Sequence, residues 1–159
     1  MNERFPDNGY RRLRKGRWSI PRQTYLITTI CHERRPLFAD TLCAAATTHA
    51  LREPRLWRDS KALCWVLMPD HLHLVLTLGE SESLMHAMNR IKSVTSRAAR
   101  EAVSGAHPIW MPGFHDRALR REEDVPTTVR YVLENPVRAG LVPSAELYPH
   151  LECGWAGVF

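Results

Sequence analysis

Residues 61–78 read KALCWVLMPDHLHLVLTL, and this stretch decides the fold. Lys61 to Met68 and His71 to Leu78 are two apolar, strand-forming runs separated only by Pro69-Asp70. A two-residue connection with Pro-Asp turn chemistry predicts an antiparallel β-hairpin. Side chains alternate along a strand, so Leu72, Leu74, Leu76 and Leu78 share the core face, while His71 and His73 project together from the other.

Upstream, Gln23 to Ile30 (QTYLITTI) is rich in β-branched residues and predicts a first strand. A helix follows from about Ala39 to Arg52, with Leu42, Ala45, Ala46, His49 and Ala50 as its expected inner stripe, and Pro54 stops it. Downstream, Ser81 or Ser83 caps a helix running to about Val103, with Leu84, Met88, Ile91, Thr95 and Ala98 facing inward. Trp110 to Leu119 reads as a short strand or an extended loop. A last helix runs from about Val125 to Glu134, with Pro126 in its first turn and Pro136 limiting it. From Gly140 the chain reads as irregular, packed through Leu147, Tyr148, Trp155 and Phe159. The order β-α-β-β-α-β plus a terminal helix is that of a ferredoxin-like (RRM-like) α+β sandwich, an antiparallel sheet with helices packed on one face. The chain divides into an arm (1–22), a single central domain (23–142) and a tail packed on it (143–159).

The chain has 159 residues, 44% of them hydrophobic, enough for a core and too many for wholesale disorder. It holds no run of eighteen apolar residues and no apolar segment ending in a cleavage site near its start, so a membrane span is not expected and a cytoplasmic protein is. Cys31, Cys43, Cys64 and Cys153 form no CxxC pair and read as reduced thiols rather than a zinc knuckle or disulfide framework. The formal charge is +5, and its placement matters more than its size. Residues 1–22 hold seven basic and two acidic groups, while the rest of the chain has fifteen of each. The entire excess therefore lies in the arm, where Arg11, Arg12, Arg14, Lys15 and Arg17 suit phosphate contact. A solubilising tail would look the same.

Two elements carry possible chemistry. His71 and His73 on one strand face can hold a divalent ion if a third ligand joins them. HxH alone is a weak signal, and two surface histidines are the commoner outcome. In the last helix, Tyr131 and Asn135 are four residues apart and share a face. Asn135 offers an amide oxygen that would complete a metal shell, with Tyr131 one turn away. A core tyrosine and a helix-ending asparagine are again the commoner outcome.

The combination is far more specific than its parts. MPDHLHLVL (68–76), WMPGFHDRALR (110–120) and YVLENPVRAGLV (131–142), in this order and chain length, resemble the REP-associated tyrosine transposases, a branch of the single-tyrosine HUH-type transposases related to the IS200/IS605 group. The resemblance covers about residues 18 to 148. It implies that His71, His73 and Asn135 bind a divalent ion, Mg²⁺ or Mn²⁺, and that Tyr131 is the nucleophile. It further implies cleavage and rejoining of single-stranded DNA beside a REP-type hairpin through a 5′-phosphotyrosine link, by a monomer that is nucleoid-associated when bound. His115 falls in the GFHD-like segment and is at most an accessory group. Arg90 and Lys92 on the second long helix, with Arg97 and Arg100, are further candidates for DNA contact or simply its solvated face, and Trp18 or Trp110 are candidates for base stacking, although core placement is the commoner outcome for both. The competing reading is a non-catalytic nucleic-acid-binding module, although no RNP-type pattern is present.

Overall fold

The structure is a computed structural model that describes residues 19–105, 107–121 and 124–156. Five strands form one antiparallel sheet: β1 (Thr24–Ile30), β2 (Lys61–Met68), β3 (His71–Thr77), β4 (His115–Leu119) and β5 (Leu151–Cys153). Their spatial order is β4-β1-β3-β2-β5. The first four strands give the ferredoxin-like order, and β5 extends the sheet beyond β2. The β2–β3 hairpin is as tight as the sequence predicts, with Met68 opposite His71 across the Pro69-Asp70 turn.

Two helices cover one face. α1 (Thr41–Arg52) is capped by Asp40, whose carboxylate accepts from the Cys43 N–H at 2.9 Å. α2 (Leu84–Val103) is capped by Ser83, whose hydroxyl accepts from the His86 N–H at 3.2 Å. Together they enclose Ile27, Trp65, Leu67, Leu72, Leu74, Leu76, Met88 and Ile91 in the main core. Burying such side chains contributes about 1.5–3 kcal/mol each.

The inner stripe of α1 differs from expectation. Leu42 is 67% exposed, and Ala45 and His49 also face solvent. Ala50 is buried as expected and Ala46 is half-buried, but Cys43, Ala44, Thr47, Thr48 and Leu51 supply the rest of the inward face. The helix is mostly Ala and Thr, so hydrophobicity hardly distinguishes its faces. On α2 the buried residue of the last turns is Ala99, with Ala98 half-buried. Four residues rather than three separate it from the buried Thr95, as a 3.6-residue period allows over a long helix.

The opposite face carries a second apolar cluster. α3 (Asp124–Leu133) sets Val129, Val132 and Leu133 against Cys64, Val66, Met68 and Val75. The tail, expected to be irregular, contributes β5, and Tyr148, Leu151, Cys153 and Trp155 pack on this cluster. The Tyr148 hydroxyl donates to the Leu67 carbonyl at 2.8 Å, which anchors the tail.

After α3 the chain makes one further helical turn, α4 (Asn135–Arg138). Pro136 has no N–H to continue the ladder, so the break falls there. α4 closes in a Schellman arrangement: Gly140 N–H donates to Val137 O and Leu141 N–H to Pro136 O, both at 2.9 Å. Gly140 has φ of 72°, which a side chain would disfavour, while space for one exists. The Asn135–Val142 run thus encodes helix break, turn and stop in eight residues.

Candidate active site

Strand pairing aligns a row of side chains on the α3 face. His73 lies opposite Thr28 of β1, and Thr28 lies opposite His115 of β4. His71 follows two residues before His73, at the turn end of the same strand.

The two imidazoles are in direct contact. Their ring centroids are 4.6 Å apart with planes at 81°. His71 Nε2 and His73 Nε2 are 3.1 Å apart. Each Nδ1 is occupied by an oxygen: Asp70 Oδ1 at 2.6 Å for His71 and Thr28 Oγ1 at 2.9 Å for His73. One proton assignment satisfies the whole chain. Thr28 donates to His73 Nδ1, His73 Nε2–H donates to His71 Nε2, and His71 Nδ1–H donates to Asp70.

This donor set fits a divalent ion. Both Nε2 atoms converge on one point, and both rings are held from behind by oxygen partners, the arrangement that orients metal-ligating histidines. Thr28 serves either tautomer, because a hydroxyl also accepts. If His73 moves its proton to Nδ1, Thr28 accepts it and Nε2 becomes a ligand. Burial, then the neighbouring His71 and the Arg138 charge, push His73 down to about 3, so its imidazole is neutral. Asp70 is held below the usual carboxylate range, chiefly by its hydrogen bond to His71. Among the described residues no group of three or more His, Cys, Asp and Glu side chains could hold a metal. Among the described residues, a third protein ligand is then of another residue type.

Asn135 is of that type. Its Nδ2 donates to Tyr131 O at 3.2 Å and Val132 O at 3.1 Å, so both amide protons are directed into α3 and the carbonyl end is the one available as ligand. Tyr131 sits one turn earlier and is 50% exposed, not a core tyrosine. Arg138 packs on Tyr131, and its charge is felt at His73. Its guanidinium lies 4.3 Å over the Tyr131 ring, Nη2 donates to Tyr131 O at 2.7 Å, and its charge acts on His73.

Three participants escaped the sequence reading. Thr28 looks like any β-branched strand residue until register places it behind His73. Arg138 is seven residues from Tyr131, two helical turns, which is a legible spacing. Arg34 has φ of 53°, next to Glu33 at 56°, and its charge acts on both Asp70 and His115. Two consecutive left-handed residues outside glycine are costly, and such strain clusters at functional sites. His115 is pushed below its ordinary range by burial and then by Arg34.

Other candidates fall away from the site. Arg90 makes a double-pronged ion pair with Glu82, Nη2 to Oε1 at 2.6 Å, and donates from Nε to Leu56 O at 2.9 Å. Lys92 donates to Met111 O at 2.6 Å and Gly113 O at 2.7 Å, pinning the approach to β4. Both cations are engaged by internal partners, so an expected contact with DNA would have to share or displace these bonds. Trp110 is buried, with its Nε1 donating to Thr95 at 3.0 Å, so it does not stack on bases. Arg11, Arg12, Arg14, Lys15, Arg17 and Trp18 lie outside the described residues. No described helix is long and apolar enough to cross a membrane.

The family model described as "Transposase IS200 like" matches residues 19–135. A REP-associated tyrosine transposase of Escherichia coli (strain K12) is 28% identical over 134 residues, which is 84% of this chain and 78% of that protein. A solved structure of a REP-associated tyrosine transposase bound to a REP hairpin aligns with a TM-score of 0.64 at 25% identity, over 85% of this chain and 79% of that one. A putative transposase from Deinococcus radiodurans aligns with a TM-score of 0.53 at 19% identity, over 77% of this chain and 96% of that one, and shows the fold alone.

Proposed function

Because this chain belongs to the IS200-like transposase family, we propose that it cuts and rejoins single-stranded DNA beside a REP-type hairpin, with Tyr131 as nucleophile and His71, His73 and Asn135 as ligands of a divalent ion. The observation that carries this reading is the approach of the two histidine Nε2 atoms to 3.1 Å on the sheet face that α3 covers, with Arg138 stacked on Tyr131 and close enough for its charge to act on His73. The same coverage weighs against the binding-module reading, since such modules present that sheet face to single strands.

Tyr131 Oη attacks phosphorus in line, a phosphotyrosine link forms at the 5′ side of the break, and a 3′-hydroxyl leaves. The link conserves the phosphodiester's free energy. A second 3′-hydroxyl can therefore reverse the step and join new DNA without a nucleotide cofactor. Arg138 holds the Tyr131 ring against rotation, and Asp70 and Thr28 hold the imidazoles. A bound Mg²⁺ or Mn²⁺ supplies Lewis-acid stabilisation of charge on the phosphate under attack. Mixed nitrogen and oxygen ligation favours Mn²⁺ intrinsically. Arg11, Arg12, Arg14, Lys15 and Arg17 of the arm grip the hairpin phosphates, and one subunit suffices because its own Tyr131 serves its own histidines.

The test is incubation of labelled single-stranded hairpin DNA with the protein and Mn²⁺, followed by a denaturing gel. The expected result is a labelled protein band that EDTA abolishes. Cleavage with no such band, or an unchanged band from Tyr131→Phe, overturns the proposal.

A further inference from the structure

The four cysteines are free thiols, but two of them are strand partners. Cys64 of β2 lies directly opposite Cys153 of β5. The flanking bonds define the kind of site. Gly154 N–H donates to Leu63 O at 2.9 Å, and Leu67 N–H donates to His150 O at 2.8 Å. Cys64 and Cys153 are therefore a non-hydrogen-bonded pair, where opposed Cα atoms approach to about 4.5 Å and side chains come closest. Opposed residues project from the same face, and both sulfurs lie in the cluster beneath α3. A separation of about 4.5 Å is within the range a disulfide spans, at its short end. A bond made there is strained, hence readily reduced, the character of a reversible rather than a structural disulfide.

Access to the two differs. Cys153 is half-exposed on a three-residue edge strand, and Cys64 is buried. Cys31 and Cys43 are both buried in the main core across the sheet, without an exposed member. We propose that Cys64 and Cys153 form a reversible redox couple, oxidised by a small-molecule disulfide such as oxidised glutathione, which joins β5 to β2 under the helix that carries Tyr131. The steps balance. The Cys153 thiolate attacks one sulfur of the small disulfide and expels the first small thiol. Cys64 then loses its proton to solvent, attacks the Cys153 sulfur and expels the second. Two protein thiols become one disulfide, and one small disulfide becomes two thiols. Burial pushes the Cys64 thiol up to about 12. The second step is therefore slow at neutral pH and speeds up roughly tenfold per pH unit, following the thiolate fraction.

The full-length protein is equilibrated with oxidised glutathione over pH 7–9 and analysed by intact mass and non-reducing peptide mapping. The expected product is a protein lighter by two hydrogens, with Cys64 and Cys153 peptides linked, a rate rising with pH, and release by dithiothreitol. The closed loop spans about 90 residues, so the thermal midpoint should rise by roughly 5–15 °C on oxidation. Cys64→Ser should stop at a glutathione adduct on Cys153. The proposal is overturned if the unaltered protein stays fully reduced, accumulates only that adduct at pH 9, or links any other pair. None of these outcomes depends on DNA cleavage, so the redox couple and the proposed nuclease chemistry stand or fall separately.

Discussion

Replacing Arg138 with Ala isolates what holds the proposed nucleophile. The side chain contributes a cation–π contact at 4.3 Å, a charge-assisted hydrogen bond of 2.7 Å to the Tyr131 carbonyl and a 3.4 Å ion pair with Glu134. The side chain is 42% exposed, so each contribution belongs at the weak end of its range. The stack is then about 0.5–1 kcal/mol, the hydrogen bond about 1 and the surface ion pair at most a few tenths. Only the part spent on orienting the ring reaches the transition state, and we take this as about 1–2 kcal/mol. Cleavage should slow roughly 5–30-fold. Hairpin affinity should stay within about threefold. Arg138→Lys keeps the charge but loses the planar stack and fork, and should recover only part of the rate. Single-turnover cleavage of a labelled hairpin at saturating protein, beside equilibrium binding of the same DNA, separates the two effects. An unchanged cleavage rate, or a loss of binding equal to the loss of rate, refutes the positioning role.

Glu82→Ala leaves the Arg90 guanidinium without its carboxylate partner in a site where the Glu82 side chain is only 3% exposed. Stability should fall by about 3–5 kcal/mol in urea unfolding, with little change in hairpin affinity below the transition; tighter DNA binding would show that Arg90 contacts phosphate after all. The depressed His73 makes the folded protein refuse a proton that the unfolded chain accepts below pH 6.5, so stability is full above that value and declines toward about pH 3. Between pH 6.5 and 5 this amounts to about 1–2 kcal/mol, with His115 and His150, also depressed, adding in the same direction. His73→Asn should flatten that slope, and an unchanged slope contradicts the buried neutral imidazole. Deleting residues 1–18 should weaken hairpin binding and reduce the slope of log K against log salt by up to about four, if Arg11, Arg12, Arg14, Lys15 and Arg17 each meet a phosphate; an unaltered slope makes the arm a solubilising tail.

The sequence was most legible where local rules act alone. The β2–β3 hairpin, the Ser83 cap and the alternation of Leu72, Leu74 and Leu76 against His71 and His73 follow from spacing and turn chemistry. The extent of α1 was legible but most of its buried face was not, because Ala and Thr do not announce a face, so the Asp40 cap and tertiary packing set its rotation. β5 was missed because three residues carry too little pattern, and its pairing with β2 is a long-range event. The histidine pair was visible, but Thr28 became meaningful only through strand register. Arg90 and Lys92 looked like surface cations because their partners Glu82, Leu56, Met111 and Gly113 are brought in by the fold. Charge counted along a chain does not reveal which cations are already paired.

The central claim is that Tyr131 carries the DNA. It is tested most directly by reacting the protein with single-stranded hairpin DNA and Mn²⁺, removing the DNA with nuclease, and locating the residual nucleotide by peptide mass spectrometry. The account predicts a phosphodiester on the peptide containing Tyr131, on its phenolic oxygen. A nucleotide on any other residue, or complete cleavage with no modified peptide, would contradict it.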